Sequence, residues 1–150
     1  MNLGVNSGGV QQIYVRDTCG IVSPCTPSLA LISSADGVTP GNAISERPSI
    51  NMTGQMIGFA SLASNLGFHT ANGVENIFVR NTCATITTAC SPATSLASQP
   101  AAAAPPANGS SLAPSVSLDG HTVSFFSFAN NLVARDTNGF SDIFLATTAF

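Results

Sequence analysis

The sequence predicts an all-β protein built from a repeated unit of four short antiparallel strands. Three observations carry that prediction: self-similarity at an offset of 66 residues, short apolar alternations closed by glycine turns, and a scarcity of helix-favouring charged residues. The segment PSINMTGQMIGFASLASNL from Pro48 reads against PSVSLDGHTVSFFSFANNL from Pro114. Downstream, ANGVENIFVRNTC at Ala71–Cys83 reads against TNGFSDIFLATTA at Thr137–Ala149. Pro48 and Pro114, Asn72 and Asn138, and Ile77 and Ile143 are all 66 positions apart, and three equal offsets are the mark of a repeat.

A third copy lies at the start. IYVRDTCGIVSPCTPSLALIS from Ile13 matches IFVRNTCATITTACSPATSLAS from Ile77, offset by 64 at the first cysteine and 65 at the second. Asn2-Leu3 echoes Asn65-Leu66 and Asn131-Leu132. One repeat domain is therefore expected in three portions: the second half of a unit over 1–47, a full unit over 48–113, and the first three strands of a unit over 114–150.

Within a unit the first strand is Pro48–Asn51, closed by a turn at Thr53-Gly54. The next copy has Asp119-Gly120 there, and Asp-Gly between apolar alternations is a hairpin signal. The second strand, Met56–Ser61, puts Ile57 and Phe59 on one face, as Val123 and Phe125 repeat. A loop ending in Asn72-Gly73 leads to the third strand, Asn76–Arg80. The fourth lies around Ala93–Ser98 and matches Ser28–Ser33. Third strands are apolar at consecutive positions: Ile13-Tyr14-Val15, Ile77-Phe78-Val79 and Ile143-Phe144-Leu145. Such a run is apolar on both faces, so the sheet must be covered on both sides by neighbouring sheets. The stretches 36–47 and 99–113, rich in Pro, Gly and Ala, read as extended connectors, because the prolines bracket the four alanines too tightly for a helix.

Composition limits function. Apolar residues make up 44% of the 150, which excludes a disordered chain, while charged residues are only 7%. Four basic residues and a net charge of −3 give no electrostatic grip on nucleic acid or on an anionic membrane surface. No apolar run is long enough for a membrane span, and no signal-peptide pattern is present.

The pattern Pro-Ser-Val-Ser-x-Asp-Gly, then Val-x-Phe, then Asp-Thr-Asn-Gly-x-x-Asp-Ile-Phe, resembles the TolB-like, WD-related β-propeller repeats of bacterial exported proteins. Residues 114–145 carry nearly all of it, residues 48–80 carry it with Thr53 and Asn76 in place of two aspartates, and residues 10–33 carry the second half. The resemblance implies a partial β-propeller of four-stranded antiparallel blades with a period of about 65 residues, longer than familiar propeller repeats. It implies a non-catalytic binding or scaffolding module, or else the accessory propeller of an extracytoplasmic hydrolase or peptidase whose catalytic domain lies elsewhere. The partners it implies are other blades, in cis or in a homo-oligomer, and a protein or glycan ligand at the loops. Two and a quarter blades cannot close a propeller, so the chain is expected to be a piece of a longer protein, with a ring of several copies as the alternative.

Two groups of residues are candidate sites. Cys19 with Cys25, and Cys83 with Cys90, flank the turn between third and fourth strands, where hairpin geometry brings two ends together. Disulfides there imply an oxidising, extracytoplasmic compartment; the alternatives are free thiols or a metal site, for which the cysteine spacing is poor. Asp136, Asn138 and Asp142 surround Gly139 as in a short calcium loop. The competing reading is an Asn-Gly turn, since Thr70, Asn72 and Asn76 stand at the matching positions of the previous copy. No cofactor other than that calcium is expected. His69 and His121 sit outside any hydrolase motif, and no nucleophile–base pair is legible, so the chain is not expected to be an enzyme.

Overall fold

Short alternating segments, separated by turns and loops that interrupt the alternation, give nine strands among the described residues. The computed structural model describes residues 7–20, 24–84, 89–100, 105–148 and 150. The alanines at 101–104 and the Asn2-Leu3 echo lie outside them. Among the described residues there is no helix, and the strands fall into three antiparallel sheets. The first sheet pairs β1 (Tyr14–Asp17) with β2 (Ser28–Leu31). The second orders β3 (Ser45–Ile50), β4 (Met56–Ser61), β5 (Asn76–Asn81) and β6 (Ala93–Leu96) side by side. The third holds β7 (Ser111–Val116), β8 (Thr122–Ser127) and β9 (Asp142–Thr147).

First strands begin three residues before the expected Pro48. In both complete hairpins the ladder breaks between Glu46 and Ser49 and between Leu112 and Ser115. Arg47 and Ala113, each directly before a proline, take φ of 52° and 51° there. A bulge lets the strand carry a proline that has no N–H for the ladder, so pairing starts at Ser45 and Ser111 and resumes beyond it.

The second sheet is the centre of the molecule. Every residue of β4 and β5 is buried. Met56, Ala60, Ile77 and Val79 point one way, into a cluster with Val123, Phe125, Ala129 and Leu132 of the third sheet and its loop. Ile57, Phe59 and Phe78 point the other way and pack with Ile13 and Ile32, which flank β1 and β2 of the first sheet. The period-2 alternation of a strand supplies both faces from one run. Stacked rings recur with the repeat: Phe59 on Phe78 with centroids 5.7 Å apart, and Phe125 on Phe144 at 5.8 Å.

Polar pins recur as well, and they tie each connector to its hairpin. Asn42 N–H donates to Asn65 Oδ1 at 2.9 Å, and Ser64 N–H to Asn42 Oδ1 at 2.9 Å. Asn108 N–H donates to Asn131 Oδ1 at 3.0 Å, and Asn130 N–H to Asn108 Oδ1 at 3.1 Å. Buried hydroxyl pairs repeat too: Ser45 with Ser61 and Ser111 with Ser127, both 2.9 Å apart. Each satisfies backbone or side-chain polarity that burial would otherwise leave unpaired.

Close approach of the second and third sheets sets up a contrast between equivalent glycines. Gly54 and Gly120 both close a hairpin with positive φ, 73° and 79°. A methyl on Gly54 would meet only Ile50 Cδ1 at 3.9 Å, whereas one on Gly120 would lie 2.6 Å from Met56 Cγ. Gly54→Ala is expected to cost about 1 kcal/mol, from the left-handed backbone alone. Gly120→Ala is expected to cost more, by about 1–3 kcal/mol of overpacking, read as a difference in urea midpoint between the two variants.

Candidate functional site

Hairpin turns, third-strand ends and the cysteine loops gather at one end of the sheets. Asn51 Oδ1 accepts from Met56 N–H at 3.0 Å in the first complete hairpin, and Ser117 Oγ accepts from Thr122 N–H at 3.0 Å in the second. Thr82 and Thr148 each donate a hydroxyl to the turn beside them, at Gly54 O (3.1 Å) and Gly120 O (2.9 Å). These bonds hold the turns rigidly against the strand ends.

The cysteines are joined as Cys19–Cys25 and Cys83–Cys90, with Cα separations of 5.7 and 5.9 Å. Cys19 and Cys83 turn the chain with φ of 64° and 59°, and their N–H groups donate to Asp17 Oδ1 (2.7 Å) and Asn81 Oδ1 (2.8 Å). Asp17 lies close enough to Cys19 and Cys25 for a three-ligand metal group, but both sulfurs are consumed in the bridge. The staples therefore fix where β1 and β5 stop.

Clefts open between the sheets at this end. One of about 470 Å³ takes Asn81 and Cys90 from the second sheet's side and Asp119, His121 and Thr148 from the third. Its counterpart between the first and second sheets, about 580 Å³, takes Asp17, Ala30, Met52 and Thr82. A third cleft of about 490 Å³ runs between the two hairpin tips and is walled by Met52, Thr53 and Gln55 against Ser117, Leu118 and Asp119. Met52 and Leu118 are 66 apart in sequence and expose 75% and 68% of their surface.

No family model, curated protein or solved structure matches the chain.

Asp136 and Asn138 lie in the loop before β9 and Asp142 is its first residue, along a shallow cleft with Ile143 and Phe144. Asn138 turns its amide nitrogen to both oxygens of Asp142, at 3.1 and 2.9 Å, and its Oδ1 accepts from Phe140 N–H at 2.8 Å. Its oxygen is thus engaged by backbone, in the arrangement of an Asx turn. His121 follows the Asp119 turn, and His69 lies beside Phe68 and Pro100 in a separate cleft at the other side of the second sheet. Sequence reasoning gave no weight to Met52 and Leu118; the signal was there, as apolar residues at the one turn position that both copies keep large and apolar.

Three carboxylates have shifted titration, and one of them, Asp119, lines two of these clefts. Asp36 accepts from Val38 and Thr39 N–H and from the Thr39 and Ser34 hydroxyls, which holds its carboxyl far below the usual range. Asp119 is lowered by the Ser117 hydroxyl and by His121 N–H. Desolvation pushes Glu75 upward, partly opposed by Arg47. Between its folded value and the ordinary value near 4, Asp36 binds fewer protons folded than unfolded, so its contribution is complete above that range and drains as pH falls. Glu75 has the opposite sign, destabilising near neutral pH and relieved on acidification. The chain is expected to lose thermal stability below about pH 4, with Asp36→Asn flattening that limb of a pH series of melting temperatures.

Proposed function

We propose that the chain is a β-propeller-type repeat module of an extracytoplasmic bacterial compartment, acting without catalysis in binding through its hairpin tips. The observation that carries this is the pair Met52 and Leu118, exposed at equivalent turn positions on either side of one cleft. Exposed large apolar side chains on rigid turns are the composition of a protein-docking surface rather than of a solvated rim. The two disulfides support an oxidising location, and the TolB-like pattern of residues 114–145 supports the propeller reading. No helix among the described residues is long and apolar enough to cross a membrane. An extended protein segment lying across Met52 and Leu118 is the favoured ligand, since the two clefts that Met52 lines carry no aromatic platform for a sugar among the described residues.

Selection of a random displayed-peptide library on the oxidised chain tests this. Enriched peptides are expected to bind at least about tenfold more weakly to the Met52→Ser/Leu118→Ser variant, whose melting temperature stays unchanged. Peptides indifferent to that pair would place binding elsewhere. Turnover of fluorogenic ester or peptide substrates that disappears in His121→Ala would overturn the non-catalytic reading.

A further inference from the structure

The outward side of the third sheet carries Phe126 on β8 and Ile143 and Leu145 on β9, flanked by Thr122, Ser124 and Thr147. None of these residues is charged. Ile143 and Leu145 are 78% and 71% exposed. Sixty-six positions earlier stand Ala60, Ile77 and Val79, all 0% exposed, because the third sheet covers them. Gly58, equivalent to Ser124, lies so close to β7 that an added methyl would be 2.9 Å from Val116 Cγ2. One repeat position is thus deep core in the second sheet and bare surface in the third.

The opposite end of the stack shows the complementary side. Tyr14 and Arg16 on β1 take the repeat positions of Phe78 and Arg80. In the second sheet Phe78 is buried towards the first sheet, and Arg80, 4% exposed, reaches across to it. Its guanidinium donates to Ser34 O at 2.8 Å and Ala35 O at 3.3 Å of the first sheet's loop. Tyr14 is only half-buried and Arg16 is exposed. Both internal junctions therefore follow one rule. An aliphatic pair on a third strand (Ile13 and Val15, then Ile77 and Val79) faces the aromatic side of the next sheet (Phe78, then Phe144). The outermost sheets present one face of each kind.

We propose that the outer face of the third sheet, centred on Ile143 and Leu145, binds the Tyr14–Arg16 face of a second copy of the chain, head to tail. The proposal rests on the stacked-repeat reading above. A two-fold dimer joining two such faces would set the third-strand aliphatic pair Ile143 and Leu145 against its own copy, whereas in both internal interfaces the equivalent pair meets the aromatic third-strand residue of the next sheet. Contact between unlike faces is heterologous, so it propagates until it closes into a ring or runs on as a filament.

Sedimentation velocity of the oxidised full chain across a wide concentration range tests it, with Leu145→Glu blocking one face and Arg16→Glu the other. Both side chains are exposed, so each variant is expected to keep the wild-type circular dichroism and melting temperature. The wild type is expected to grow beyond dimer with concentration. Each variant alone should associate at least about tenfold more weakly. An equimolar mixture of the two should form one-to-one dimers and nothing larger, because only one competent face remains on each partner. A wild type that stays monomeric throughout would overturn the proposal while leaving the stack within one chain intact. Full dimerisation of Arg16→Glu alone would overturn it in favour of the two-fold arrangement.

Discussion

Ile77→Ala is expected to lower unfolding stability by about 2–5 kcal/mol, while Ile143→Ala, the same residue one repeat later, is expected to change it by no more than about 0.5 kcal/mol in the dilute chain. Ile77 is fully buried in the cluster between the second and third sheets, and Ile143 is 78% exposed. The truncation removes the same atoms in both cases. Only at 77 does it also leave a cavity lined by residues of two sheets that cannot collapse together. Urea unfolding of the two variants at low concentration reads the difference. Equal losses would mean that both faces are covered alike, and equal tolerance would mean that the second sheet is not covered by the third.

Removing both disulfides, as Cys19→Ala/Cys25→Ala combined with Cys83→Ala/Cys90→Ala, is expected to cost about 4 kcal/mol, roughly 2 from each short loop. The sequence separations of 6 and 7 make each loop small, so the individual terms are modest. Their sum still matters against a typical total of about 5–15 kcal/mol. The bridges link the ends of β1 and β5 to β2 and β6, strands of only four residues each. Amide exchange in the cysteine-free variant should therefore quicken first in β2 and β6, ahead of β4 and β5. Exchange that quickens uniformly would mean the bridges stabilise the chain as a whole and not these edges.

Much of this architecture was legible because the repeat itself is an alignment internal to the chain. Comparison of residues 48–80 with 114–145 located the hairpins and the bounds of β4 to the residue. The two-faced third strand Ile77-Phe78-Val79 announced cover on both sides, and the structure places a sheet on each. Three things were not legible. The bulges at Arg47 and Ala113 depend on a positive φ at non-glycine residues, which composition does not signal, so the first strand reads as beginning only at Pro48. The asparagine pins of Asn42 and Asn108 join residues more than twenty positions apart, and short polar side chains in a connector look the same whether they face water or a hairpin. Arg80 read as a strand-end charge, yet it is buried with Thr94 Oγ1 and two loop carbonyls as acceptors. Desolvation lowers its pKa, and the nearby Asp36 raises it again. A buried guanidinium with that many acceptors is a tie between sheets, and only the tertiary structure supplies the acceptors.

The candidate site was less legible than the fold. The cysteine pairs were read from spacing alone, and the loop of Asp136, Asn138 and Asp142 was located while the direction of the Asn138 amide was not. Met52 and Leu118 gain meaning only when the hairpins stand side by side across one cleft.

The central claim is that successive repeats stack face to face so that the second sheet is buried between its neighbours. A nuclear Overhauser contact between the Val116 γ-methyls and Gly58 Hα tests it most directly, because those groups meet only if β7 lies on β4. The stack predicts a strong cross-peak in the dilute, oxidised chain, together with slow exchange of the β4 and β5 amides. An absent cross-peak in a folded chain, with β4 exchanging as fast as β9, would contradict it.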